Sequence, residues 1–282
     1  MGATKTSGGP GHAAGLAEPI LEAHGVTKSY RSRQGDVLAV RSIDFSVSRG
    51  EFVSVVGPSG CGKTTLMMCI AGLLPVTGGS LTFRGQAMTG PQEGVAVVFQ
   101  DYSRSLFPWL TVEKNVALPL RDRGIPRADI ERRVERALEM VNLGHAAGLY
   151  PWQLSGGMQQ RVAIARGLAV EPEMLIMDEP FASVDAQTRA NLEDLLLEIW
   201  AETGTTILFV THDIDEAVYL SDRVVVLSQG PSVVVEDITV RLDRPRHQID
   251  TKQVPLFGEL RAEVFGLVMA SDRRTSLSGE ES

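Results

Sequence analysis

The stretch from Glu51 to Leu74 constrains this chain more than any other. It reads "EFVSVVG", a compact apolar run, then "GPSGCGKTT" at 57–65, then "LMMCIAGLL", a run with helical spacing. A loop of this kind requires a buried strand that feeds directly into a helix, which points to α/β architecture. The loop fits G-x-x-x-x-G-K-[ST], with Gly57, Gly62, Lys63 and Thr64 at the fixed places. Glycines let backbone N–H groups close around phosphate oxygens without a Cβ in the way, and the helix dipole favours negative charge there. Pro58, Ser59, Gly60, Cys61 and Thr65 complete the candidate cradle. Lys63 is a point charge for β- and γ-phosphates, and the Thr64 hydroxyl is a candidate Mg²⁺ ligand. Cys61, beside Lys63 and near a helix N-terminus, is expected to have a lowered thiol pKa and to react with thiol reagents unless bound nucleotide protects it.

Further apolar runs follow at 95–99, 173–178, 205–211 and 223–228, several without polar alternation, as parallel strands covered on both faces require. Helical spacing recurs between them. Leu192, Leu195, Leu196 and Ile199 share one face, as do Ile130, Val134, Leu138 and Val141. "IDFSV" (43–47) alternates, and "GSLTFRG" (79–85) reads as a hairpin arm, so an antiparallel layer is expected at the front of the α/β core. A mostly helical insert is expected over about 102–167.

Composition narrows the function classes. The net charge of −8 argues against a broad nucleic-acid footprint, and no nucleic-acid partner is expected. No apolar run, Val264 to Ala270 included, approaches the roughly 18–20 residues needed to cross a bilayer. Any membrane role therefore falls to a partner. Cys61 and Cys69 read as free intracellular thiols, and the N-terminus has no apolar core of a secretory signal. Residues 1–18 and 271–282, rich in small and polar side chains, are expected to be disordered.

Two more stretches carry chemistry. "LIMDEP" (175–180) ends an apolar run in two carboxylates, with Asp178 lying 115 positions after Lys63. Asp178 is placed to reach Mg²⁺ through water, and Glu179 to polarise an attacking water. "LSGGMQQR" (154–161) sets Ser155 as a helix N-cap ahead of Gly156 and Gly157, leaving backbone N–H groups open to an anion.

In this order and spacing, 57–65, 154–158 and 175–180 resemble the ATP-binding subunits of ABC transporters. The resemblance spans roughly 20–240 and is joined by Gln100 after "VAVVF", "ASVD" ending at Asp185, His212 after "ILFVT", and Tyr30 in "GVTKSY". It implies a P-loop NTPase (RecA-like) core over 19–240, carrying an antiparallel β-subdomain and a helical signature subdomain, followed by a helical extension over 241–270. It also implies ATP and Mg²⁺ as ligands, with Tyr30 stacking on adenine and Thr64, Gln100 and Asp178 at the metal. Glu179 is then the base, His212 the sensor of the γ-phosphate, and Asp185 part of the loop that follows. Ser155, Gly156 and Gly157 would complete the site of a second copy in a head-to-tail homodimer. "LFPWLTV" resembles importers of nitrate, sulfonate and taurine, so Phe107, Pro108 and Trp109 are expected to meet integral membrane permease subunits, with an external solute-binding protein acting through them. That places the chain in the cytoplasm, peripheral on the inner face of the membrane. Trp109 could instead fill the core of the helical subdomain. The alternative function is a soluble ABC-type ATPase or nucleotide switch acting without a membrane partner.

Overall fold

The computed structural model describes residues 18–32, 35–101 and 105–278. The disordered segment expected over 1–18 therefore lies, but for Glu18, outside the described residues. Two long strands, β1 (Pro19–Ser32) and β2 (Gly35–Ser48), pair antiparallel and precede β3 (Phe52–Val56) and α1 (Lys63–Ile70). A small hairpin of β4 (Gly78–Phe83) and β5 (Gln86–Ala87) leads to β6 (Val95–Val98). The helical insert holds α2 (Val112–Ala117), α3 (Arg127–Met140) and α4 (Gly156–Leu168). The chain then returns through β7 (Met174–Asp178), α5 (Ala186–Thr203), β8 (Thr206–Val210), α6 (Ile214–Leu220), β9 (Arg223–Leu227) and β10 (Ser232–Thr239). It closes with α7 (Asp250–Gln253) and α8 (Pro255–Ser278).

One mixed sheet joins all ten described strands in the order β5-β4-β1-β2-β10-β9-β3-β8-β7-β6. The five strands from β9 to β6 are parallel, in registers such as Phe52 opposite Ile207 and Val95 opposite Met174. Every residue of β3, β7 and β8 is buried, which explains why their sequences carry no polar alternation. β1, β2, β4 and β5 form the antiparallel layer, where Ile43, Phe45 and Val47 point inward. A short parallel contact, Ser232 opposite Val40, joins the two parts, while β10 runs antiparallel to β9.

The sheet separates two apolar cores. Leu175 and Met177 of β7 join the core of α4, α5, α6 and the helical insert, whereas Met174 and Ile176 join that of α1 and the antiparallel layer. This split follows from the two-residue period of a strand. The expected faces of α3 and α5 are inward: Val134, Leu138, Val141, Leu192, Leu195, Leu196 and Ile199 are buried, with Ile130 packed at the margin. The C-terminus differs from expectation. α8 stays helical to Ser278 instead of giving way to an irregular tail at 271, since neither Gly nor Pro interrupts 271–278. Among the described residues no helix is long and apolar enough to cross a membrane.

Candidate nucleotide site

Parallel strands present their carboxyl ends along one edge of the sheet, and the candidate residues gather there. The 57–62 loop joins β3 to α1. Gly57 and Pro58 are buried, while Ser59 and Gly60 are exposed. Gly62 has φ 104°, and a Cβ there would stand 2.9 Å from the Ala39 carbonyl oxygen, so only glycine fits. Lys63 opens α1 and folds back over the loop, with Nζ donating to the Gly57 and Pro58 carbonyls at 2.8 and 3.0 Å. No acidic side chain occupies the first turn of α1, so the positive helix end faces the loop uncompensated. Tyr30 reaches the same loop from β1, its hydroxyl 3.2 Å from Thr65 Oγ1 with the ring partly exposed.

Cys61 departs from the sequence expectation. It is buried beneath the loop, and burial pushes its thiol pKa up, outweighing the opposing pull of Lys63. The lowered pKa expected from the helix N-terminus is therefore corrected: desolvation is the larger effect.

Asp178 and Glu179 are adjacent in sequence but occupy different environments. Asp178 ends β7 in a buried position, and desolvation raises its pKa against the lowering effect of a hydrogen bond with Thr64. Its Oδ1 is buried without a hydrogen-bond partner. Such an orphaned oxygen beside a hydroxyl fits a hard cation, and Thr64 and Asp178 could hold Mg²⁺ there. Glu179 takes φ 42°, with its N–H donating to the Val210 carbonyl at 2.7 Å.

Strand order explains what Glu179 meets. β7 lies between β6 and β8, so the residues following those strands approach from either side. Gln100 Nε2 donates to Glu179 Oε2 at 3.1 Å, and His212 Nδ1 lies 3.1 Å from the same oxygen. Gln100 is not hydrogen-bonded to Thr64 or Asp178 in this arrangement; its contact is with the Glu179 side of the site.

Ser155 caps α4, its Oγ accepting from the Met158 N–H at 3.3 Å, and both Ser155 and Gly156 are exposed. Asp185 caps α5 in the same manner, accepting from the Thr188 N–H at 3.0 Å and from the Thr188 hydroxyl at 2.6 Å. These bonds hold the Asp185 carboxyl below the usual carboxylate range. Gly157 packs on Thr188, where a Cβ would stand 2.5 Å from Cγ2. No hydrogen bond among the described residues joins Ser155, Gly156 or Gly157 to the 57–65 loop of the same chain.

Trp109 is 69% exposed and stands edge-on to the partly exposed Phe107 ring at 5.2 Å, so it does not fill the helical core. Asn115, which sequence reasoning passed over, fixes this loop from below. Its fully buried amide donates to the Phe107, Leu110 and Thr111 carbonyls at 3.1 Å each, and its oxygen accepts the Phe107 N–H at 2.8 Å. Also missed was the segment after His212, although Asp213 and Glu216 have the spacing of a capping box. Asp213 Oδ1 accepts from the Asp215 and Glu216 N–H groups at 2.9 and 3.1 Å.

A family model described as ABC transporter matches residues 40–182. The bicarbonate transport ATP-binding protein CmpC of Synechococcus elongatus is 45% identical over 91% of this chain, which spans 39% of that relative's length. The nitrate transport protein NasD of Klebsiella oxytoca is 41% identical over 88% of this chain and 95% of its own. Among solved structures, cbiO1 of Clostridium perfringens, part of the cbiONQ transporter complex, superposes with TM-score 0.71 at 31% identity, covering 78% of this chain and 88% of its own. A dimeric, post-hydrolysis structure of the ATP-binding cassette MJ0796 bound to ADP and Pi superposes with TM-score 0.70 at 32% identity, over 79% of this chain and 99% of that one.

Proposed function

Because the chain belongs to the ABC transporter family, we propose that it hydrolyses ATP to power uptake of a small solute through separate membrane subunits. The observation that carries this reading is Glu179, held by Gln100 and His212 at the same sheet edge as the Lys63 loop. A passive nucleotide binder has no use for a carboxylate fixed in that way. Relatives named for nitrate and bicarbonate transport support a small oxyanion as the solute, with sulfonates of the taurine kind the other chemistry that suits the reading.

The residues divide the work. Lys63 and the amides of 57–65 bind the phosphates, and the Tyr30 ring, beside Thr65, receives the adenine. Glu179 orients a water and takes its proton, with Gln100 and His212 fixing the carboxylate. Thr64 and Asp178 would hold Mg²⁺, which would supply neutralisation of charge on the phosphate oxygens, and Gln100 borders that position.

Ser155, Gly156 and Gly157 leave an exposed helix start that completes the phosphate site of a second copy, packed head to tail, with Asp185 at the same interface. A dimeric cassette among the structural neighbours supports this assembly. Phe107, Pro108 and Trp109 dock the permease at the inner face of the membrane, the exposed ring pair supplying the aromatic anchor. The solute-binding protein then acts from the far side through the permease.

The test is capture of the tagged chain from detergent-solubilised membranes, with mass spectrometry of what accompanies it. A polytopic membrane protein in near-equal amount is expected. Recovery of soluble partners alone, with ATP-driven dimerisation intact, would leave the ATPase standing and remove the importer.

A further inference from the structure

His212 meets Glu179 through its ring, and its chain neighbours fix the backbone on either side of it. Thr211 Oγ1 donates to Glu216 Oε2 at 2.6 Å and accepts the Asp213 N–H at 3.0 Å, so a closed knot flanks the histidine on both sides. Within the chain, two cations from other helices grip this knot. Arg261 of α8 takes Asp215, its Nε 2.5 Å from Oδ1. Arg189 of α5 takes the other two acids: Nη1 donates to Asp213 Oδ2 at 3.2 Å, and Nε lies 3.5 Å from Glu216 Oε1.

Arg189 is the more consequential grip because of where its backbone begins. It sits in the first turn of α5, its N–H donating to the Asp185 carbonyl at 2.8 Å. The residue before it, Thr188, is tied to Asp185 by two hydrogen bonds and carries the methyl group against which Gly157 packs. Contacts thus run from the exposed start of α4, through Thr188 and Arg189, to Asp213 and the histidine that meets Glu179. We propose that Arg189 is a positioning residue for hydrolysis, tethering the His212 segment to the Asp185 turn and the signature helix.

The inference rests on the hydrolytic reading of Glu179 and His212 given above. Its consequence is directional: movement of the signature helix against a second copy is transmitted to the chain's own water-positioning group. An ion pair with two acceptors on one helix turn suits a guanidinium, whose fork reaches both at once; a lysine reaches one.

The experiment compares steady-state ATPase kinetics of the full chain with Arg189→Gln, Arg189→Lys and Asp213→Asn. The last breaks the tether from its other end while Asn still caps α6 through its side-chain oxygen. Arg189→Gln and Asp213→Asn are each expected to lower kcat about tenfold with KM for MgATP within about twofold, and Arg189→Lys to recover part of the loss. Melting temperatures of the three should stay near the parent's. A parent-like kcat in either tether variant overturns the proposal, as does a loss that appears only where the melting temperature falls. If His212→Ala itself turns over at the parent rate, the hydrolytic reading fails and takes the tether with it.

Discussion

Glu179 Oε2 receives two groups at the same distance: His212 Nδ1 and Gln100 Nε2 each lie 3.1 Å away. Both contacts converge on one oxygen, so the carboxylate is oriented and its second oxygen is left to meet water. The pair arises from strand order, not from sequence proximity, since Gln100 and His212 follow the two strands that flank β7.

Replacing Glu179 by glutamine keeps the shape and removes the charge that draws a proton from water. Turnover should fall by about 10²-fold or more, the usual worth of a general base, while ATP still binds. Light scattering on the variant should show a dimer that persists with ATP. A normal hydrolysis rate would refute the assignment.

Asp178 has one oxygen buried without a partner. Chelation of divalent cations should stop turnover. Asp178→Asn should raise the Mg²⁺ concentration giving half-maximal activity about 10- to 100-fold, the range for a residue that acts on a metal through its surroundings. Titration of activity against free Mg²⁺ decides this.

Alanine at 157 suits a helix in general and does not suit this one. Its Cβ would meet Thr188 Cγ2 at 2.5 Å, and rotating Thr188 away sacrifices its hydroxyl bond to Asp185. Gly157→Ala should cost about 1–3 kcal/mol, as overpacking does. Adding Thr188→Ser removes the obstructing methyl group, keeps the hydroxyl, and should restore the urea midpoint.

Cys61 is buried, and its thiol is shifted away from ionisation. Iodoacetamide at neutral pH should leave it unmodified in the folded chain, with or without ATP, and label it once denaturant is added. Peptide mass spectrometry reads the result. Rapid labelling of the native protein would contradict the burial.

Glu216 is pushed up to about 7 from 4.5, chiefly by burial. Between those values the folded chain keeps a proton that the unfolded chain has released, so stability from this group is full below 4.5 and declines as pH rises through 7. The decline is on the order of 3 kcal/mol. Glu216→Gln should flatten it, and urea midpoints at pH 5 and pH 8 for parent and variant measure the difference.

The sequence makes the parallel core legible because strands covered on both faces cannot alternate; β3, β7 and β8 are plain as apolar runs. The Lys63 loop is legible because its glycines serve the backbone itself. The length of β1 and β2 is not, since residues 30–32 and the facing 35–38 are exposed and break the inward–outward alternation, apolar Val37 and Leu38 included. Nor is the state of Cys61, which depends on what packs above the loop, or the exposure of Trp109, which Asn115 sets by fixing the loop beneath it. The Arg189 to Asp213 contact joins residues 24 positions apart on different helices, and no local spacing announces it.

The sheet that divides the apolar interior also divides vulnerability. Leu66, Met67 and Ile70 of α1 anchor the Lys63 loop to one core, whereas Val162, Ile164 and Leu168 of α4 anchor the signature helix to the other. In the head-to-tail dimer proposed above, a truncated side chain in the first would loosen the chain's grip on its own nucleotide, and one in the second would spoil what it lends to a neighbour. In an assembly of mixed subunits, two such defects on different copies could leave one of the paired sites whole, whereas both defects on a single copy would injure the two sites together.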